Sequence, residues 1–165
     1  MKKISVLCSS MFLVFCLTGC SSATTYEDGL KAYDSKDYAK AFEIFSAEAK
    51  KGNPDAQLSL GLMYNRGDGN VRQDYAEAAK LYGAAAEKGN INALANLAIM
   101  HLNGTGVPQN YINGYALSSL AAKYGNTEAK ANMEIAAKKM TPAQIKEALK
   151  LAEEIAGKTD QGTTK

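Results

Sequence analysis

Residue types that carry much of protein chemistry are scarce in this 165-residue chain, which has three cysteines, one histidine and no tryptophan. All three cysteines, Cys8, Cys16 and Cys20, lie within the first 20 residues. The rest of the chain therefore has no thiol for a disulfide, a cysteine-based metal site or thiol catalysis. The single histidine, His101, has no second histidine with which to bind a metal or form a catalytic pair.

The chain has no strong charge bias, with 19 lysines and arginines against 17 acidic residues. Two of the basic residues, Lys2 and Lys3, belong to the N-terminal segment, and without residues 1–19 the two signs balance. We expect no nucleic-acid partner, because such partners require a basic face. The acidic residues form no cluster with ligand-like spacing, so the sequence predicts neither a metal nor another cofactor.

The N-terminus has the pattern of a secretory signal. Lys2 and Lys3 precede an uncharged, apolar stretch over residues 4–17, which is too short for a stable transmembrane helix. The run Leu17-Thr18-Gly19-Cys20 resembles the lipobox of bacterial lipoproteins. That resemblance implies cleavage before Cys20 and attachment of a diacylglyceryl group to its thiol. The alternative is an ordinary signal peptide that ends beside a chance cysteine.

These features predict the organisation of the N-terminus. Residues 1–19 are predicted to be a lipoprotein signal peptide, and residues 20–25 a lipidated N-terminus and short tether. The lipoprotein resemblance also implies that Cys20 carries several acyl chains, palmitate among them. Several chains give stable anchoring where a single chain is marginal. Ser21 follows the cysteine, and by resemblance it favours the outer membrane of a Gram-negative cell, facing the periplasm.

The chain contains a tandem repeat of roughly 36 residues. The Gly-Asn pairs that begin at Gly52, Gly89 and Gly125 are 37 and 36 positions apart. Tyr38, Tyr75 and Tyr111 recur with similar spacing. A repeat of this length with no strand pattern predicts stacked helical units.

Each repeat is predicted to contain two helices. Asn53, Asn90 and Asn126 are suited to cap the first helix of a unit, and Asp37, Asp74 and Asn110 the second. Pro54 falls at a first helical position, where its missing N–H has no cost. We predict a solenoid over residues 26–157, ending with a helix over 127–139 and a last helix opened by a Thr141–Gln144 capping box. Residues 158–165 are predicted to be a flexible tail.

The segments Ala56–Tyr64, Gly67–Gly69, Asp74–Tyr82 and Ala84–Gly89 resemble the Sel-one-like repeat, a relative of the tetratricopeptide repeat. The resemblance implies an all-α fold, a right-handed solenoid of αα-hairpins whose first helices line a concave binding surface. It also implies a role in assembling or restraining other proteins, often at the bacterial envelope. The family has no shared catalytic residues to carry over. The second repeat departs from the pattern at Ala98, His101 and Ser118.

Positions beside the apolar stripe of the first helices form columns along the repeats. Ser59 aligns with Asn96 and Asn132, and Arg66 aligns with Asn103. Gln57 aligns with Leu94 and Lys130. Amides and an arginine in a groove are suited to bind the backbone and carboxylates of a peptide. The predicted partner-binding residues are Gln57, Ser59, Arg66, Asn96, Asn103 and Asn132, although a merely solvated face is an equal alternative.

The sequence thus predicts a non-enzymatic, membrane-anchored periplasmic adaptor that docks a partner protein on its concave face. One alternative is an immunity-type lipoprotein that neutralises a secreted effector. A less favoured one is an envelope hydrolase or β-lactam-binding enzyme that uses His101, and a purely structural linker also remains open. His101 itself occupies a repeat position that favours a buried aromatic, which indicates a packing role.

Overall fold

The structure, a computed structural model, describes residues 24–162 and the side chains up to residue 158. Cys20, the predicted signal peptide and most of the predicted tether lie outside the described residues. Within residues 24–162 all regular structure is helical. The eight helices there are α1 (Tyr26–Asp34), α2 (Tyr38–Lys50), α3 (Pro54–Arg66), α4 (Tyr75–Glu87), α5 (Ile91–Asn103), α6 (Tyr111–Lys123), α7 (Ala129–Ala137) and α8 (Pro142–Gly162).

The helices stack as consecutive hairpins. Helix α1 packs on α2, α3 on α4 and α5 on α6, and each hairpin also packs on the next through α2–α3, α4–α5 and α6–α7. This is the predicted all-α solenoid. In the described part of the chain, no helix combines the length and the apolar character that crossing a membrane would require.

The helix ends follow the predicted capping pattern. The Asn53 side chain accepts hydrogen bonds from the backbone N–H groups of Asp55 and Ala56 at 2.9 and 3.2 Å. Asp74 accepts one from Glu77 at 3.0 Å in the same way. Gly89, which precedes the cap of α5, has the left-handed φ of 82° that glycine adopts without steric cost. Local hydrogen bonds therefore set where α3 and α4 begin.

Small residues on the first helices pack against aromatic rings on the second helices. A Cβ built on Gly61 of α3 would lie 2.7 Å from Cε1 of Tyr82 on α4, a ring that is only 1% exposed. Gly29 and Phe45 form the equivalent pair in the first hairpin, at 2.6 Å. The third hairpin has the fully buried Ser118 where the others have a ring. A glycine and an aromatic residue thus act as one packing unit in two of the three hairpins.

The C-terminal end of the stack departs from the repeat. Helix α6 packs against both α7 and α8, and α8 also reaches α4. The predicted helix over 127–139 is shorter in the structure, where α7 covers Ala129–Ala137. Glu128, and not the predicted Asn126, is the residue that directly precedes α7, although the Asn126 side chain accepts from the N–H of Ala129 at 3.0 Å.

Helix α8 begins with the predicted capping box. The Thr141 N–H donates to Oε1 of Gln144 at 2.8 Å, and the Gln144 N–H donates to Oγ1 of Thr141 at 3.3 Å. The helix runs to Gly162, past the boundary that sequence analysis placed at residue 157. The helix continues because Gly157 costs only about 1 kcal/mol relative to alanine inside a helix, and no proline follows to interrupt it.

Candidate functional site: the first-helix face

An apolar column runs across the helices that open each hairpin. Leu62, Ile99 and Ile135 occupy the same repeat position, and Leu30 follows Gly29 as Leu62 follows Gly61. Leu30 is 39% exposed, Ile99 37% and Ile135 54%, while Leu62 is half-buried. We call the surface around these four residues the first-helix face. Sequence analysis missed the column, although its repeat spacing is visible in the sequence.

A polar column lies three residues before the apolar one on the same face, because positions i and i+3 of a helix are neighbours. It contains the predicted residues Ser59, Asn96 and Asn132, all half-buried. The hydroxyls of Ser59 and Tyr26 share a hydrogen bond of 3.0 Å, which joins α3 to α1. Nδ2 of Asn132 is buried and has no hydrogen-bond partner among the described groups. These three predicted residues therefore occupy one repeat position on successive first helices.

Arg66 and Asn103 are exposed at the C-terminal ends of α3 and α5. Nη1 of Arg66 donates to the Tyr33 hydroxyl at 3.3 Å, and that hydroxyl donates to Oδ2 of Asp68 at 2.6 Å. The hydrogen bond to Tyr33 raises the pKa of Arg66, while burial and then the Asp68 interaction raise the pKa of Tyr33. Tyr33 of α1 thus positions the side chain of Arg66, which belongs to α3.

Gln57, the sixth predicted partner-binding residue, is buried and does not lie on this face. The residue is only 8% exposed, and its Nε2 donates to the backbone oxygen of Ala49 at 3.4 Å. Its repeat equivalent Leu94 is 2% exposed. The position faces the preceding hairpin, and Gln57 is therefore a packing residue of the α2–α3 contact.

His101 is the one residue that sequence analysis weighed for catalysis. His101 is half-buried, burial lowers its pKa, and its Nδ1 has no hydrogen-bond partner in the described structure. Within residues 24–162, no three His, Cys, Asp or Glu side chains come together as metal ligands would. The glycines of the α3–α4 and α5–α6 loops have left-handed backbones, as in Gly67 with a φ of 74°. They serve as loop and helix-end residues.

A cleft also lies between the first two hairpins. It is a cleft of about 820 Å³ between α2 and the α3–α4 loop. Tyr38, Phe42, Tyr64 and Tyr75 give it aromatic walls, and Arg72 lies at its edge. The rings of Phe42 and Tyr64 meet edge-on at 5.7 Å between centroids. Sequence analysis assigned no binding role to these residues.

Stacked helical hairpins that repeat exposed columns of side chains define an α-solenoid of the kind that binds other proteins on its surface. The Sel1 repeat matches three segments of this chain, residues 22–53, 54–90 and 91–126. The chain belongs to the Sel1 repeat family. The Sel1 repeat fold is typically a non-catalytic scaffold for protein–protein interaction.

Solved structures support the same fold. A protective antigen present in uropathogenic Escherichia coli strains, which displays an SLR fold, is 28% identical with a TM-score of 0.77. The match covers 81% of this chain and 29% of that one. A Sel1 repeat protein from Oxalobacter formigenes is 28% identical with a TM-score of 0.62, over 66% of this chain and 44% of its own. The chain therefore spans less than half the length of either structure. A search of curated proteins gives no match.

Proposed function

We propose that this protein is a membrane-anchored adaptor of the periplasm, and that one partner protein docks on its first-helix face. The observation that carries the proposal is the apolar column, which is exposed at Leu30, Ile99 and Ile135 and half-buried at Leu62. Such side chains gain free energy when a partner covers them, because burying a whole leucine or isoleucine side chain contributes about 1.5–3 kcal/mol. A column repeated on successive helices favours an elongated partner segment over a small ligand.

The flanking columns give the docked segment its polar contacts. Ser59, Asn96 and Asn132 lie on one side of the apolar column, and Arg66 and Asn103 on the other. Amide groups both donate and accept hydrogen bonds, so they can pair with an extended peptide backbone of any sequence. The arginine adds one position that favours a carboxylate. Apolar contacts thus supply affinity, and the flanking groups fix orientation.

Docking is tested by crosslinking in detergent extracts followed by recovery of the tagged chain. We expect Ile99→Asn to reduce recovery of a stoichiometric partner at least tenfold, the effect of about 1.4 kcal/mol. Leu149→Asn is the matched control, because Leu149 is 43% exposed but lies on α8. Equal recovery with both variants would contradict docking on this face. Sequencing the partner distinguishes an envelope component from a secreted effector.

The anchor rests on Cys20 of the predicted lipobox. A tether over residues 20–25 spans at most about 22 Å when extended, so the solenoid would stay close to the bilayer. We expect Cys20→Ala to move the protein from the membrane fraction to the soluble periplasmic fraction. Cys16→Ala, within the predicted signal peptide, is the matched control and should leave the protein on membranes. Continued membrane association of a Cys20→Ala chain from which the signal segment has been cleaved would refute the lipid anchor but not the docking.

A further inference from the structure

A small cavity opens between α1 and α3 on the first-helix face. Its volume is about 140 Å³, which is enough for one apolar side chain of leucine size. Phe45, only 1% exposed, contributes to its wall from α2. The residues that line the cavity are Leu30, Tyr33, Phe45, Ser59, Leu62 and Arg66.

Arg66 stands at this cavity with much of its hydrogen-bonding capacity unused. A guanidinium carries five N–H donors, and the one bond it forms within the described residues goes to Tyr33. Arg66 takes part in none of the ion pairs of residues 24–162. The nearby Asp68 carboxylate accepts from the Tyr33 hydroxyl instead. The arginine is therefore held in place without being neutralised by a direct ion pair.

We propose that this cavity binds a leucine-sized side chain of an extended partner segment, and that Arg66 binds the carboxylate of an aspartate or glutamate two residues away. The inference rests on the proposed docking function and identifies the feature that the partner presents. Leu62 and Arg66 are one helical turn apart, a rise of about 6 Å. Residues i and i+2 of an extended chain point to the same side at about 6.6 Å, so a segment that runs parallel to α3 where it passes this cavity can reach both groups.

The cavity also sets the register of the partner along the solenoid. The repeat equivalent of Arg66 on α5 is Asn103, which is neutral and offers an amide instead of a bidentate cation. A partner carboxylate is thus preferred beside Arg66 and not beside Asn103. An acidic segment should consequently bind with its apolar–acidic motif at the N-terminal end of the face.

The test uses the full chain in detergent micelles and two synthetic peptides. The first is acetyl-Ala-Asp-Ala-Leu-Ala-Asp-Ala-amide, which has an acidic residue on either side of the leucine. The second replaces both aspartates with asparagine, which keeps the shape and removes the charge. Titrations followed by amide chemical shifts should give saturable changes at Leu30, Ser59 and Leu62. We expect the aspartate peptide to bind about tenfold more tightly than the asparagine peptide, since charge-assisted hydrogen bonds are roughly twice as strong as neutral ones.

Arg66→Gln should remove the discrimination between the two peptides, whereas Asn103→Gln at the equivalent position of the next hairpin should preserve it. Equal binding of the two peptides by the unmodified chain would overturn the inference. So would a lack of saturable shifts, or shifts confined to the aromatic cleft beside Tyr38. If the peptide titrations fail while Ile99→Asn still reduces partner recovery, the cavity proposal alone is rejected. Loss of that sensitivity would instead reject the docking proposal.

Discussion

Replacing Gly61 with alanine should destabilise the protein although alanine is the better helix former. The added Cβ would lie 2.7 Å from Cε1 and 2.9 Å from Cδ1 of Tyr82. The ring is 1% exposed and packed in the core, so it has no solvent-filled space into which it could move. Either the ring or the backbone of α3 must shift.

The magnitude follows from two opposing terms. Overpacking a core costs about 1–3 kcal/mol, and the steric conflict with two ring atoms places Gly61→Ala in the upper part of that range. Exchanging glycine for alanine inside a helix gains up to about 1 kcal/mol. We therefore expect a net loss of about 1–2 kcal/mol, or a fall in Tm of about 3–6 °C for a chain of this size.

Urea denaturation followed by circular dichroism measures this change, and Gly83→Ala provides the matched control. Gly83 lies inside α4, and a Cβ there would meet no atom within 4 Å. Its replacement should raise the free energy of unfolding by about 0.5–1 kcal/mol. In a Tyr82→Val background, which lacks the δ and ε atoms, Gly61→Ala should also become stabilising. If Gly61→Ala stabilises the unmodified protein as Gly83→Ala does, the packing argument fails.

Two further changes test the cap of α8 and the lone histidine. Thr141→Ala removes one half of the capping box and should lower the free energy of unfolding by about 1 kcal/mol in the same urea assay; an unchanged midpoint would show that α8 does not depend on its cap. Burial lowers the pKa of His101 in the folded state, so the unfolded chain binds this proton more readily and stability should fall as the pH drops below about 6.5. His101→Tyr, which copies Tyr64 of the preceding hairpin, should flatten the dependence of the unfolding free energy between about pH 5 and 7. An identical slope in the variant would refute a folded-state pKa shift at this residue.

The helix boundaries could be predicted because they depend on neighbours in sequence. The caps at Asn53 and Asp74 need only a side-chain oxygen and an N–H group two or three residues later. Their recurrence at the repeat period reinforced each prediction. The stacked hairpins followed from these boundaries together with the spacing of the apolar residues.

The binding face was harder to predict because it depends on where other helices pack. Gln57 and Ser59 are two residues apart on α3, yet Gln57 bonds to α2 and Ser59 bonds to α1 of the preceding hairpin. Polarity alone could not distinguish these directions. Leu30 was missed because the first unit has a shorter loop, which shifts its first helix out of register with the later repeats.

The path of α8 has a consequence for how such an array can change in length during evolution. Ala148 and Ala152 of α8 pack with Ala116 of α6, and the helix continues back toward α4. A hairpin appended after residue 162 would therefore begin beside the middle of the stack and would have no free end on which to build. A duplicated unit inserted between Asn90 and Ile91 would instead have a complete neighbour on each side. Lengthening of this protein by duplication is therefore favoured inside the array, where α8 need not change its packing.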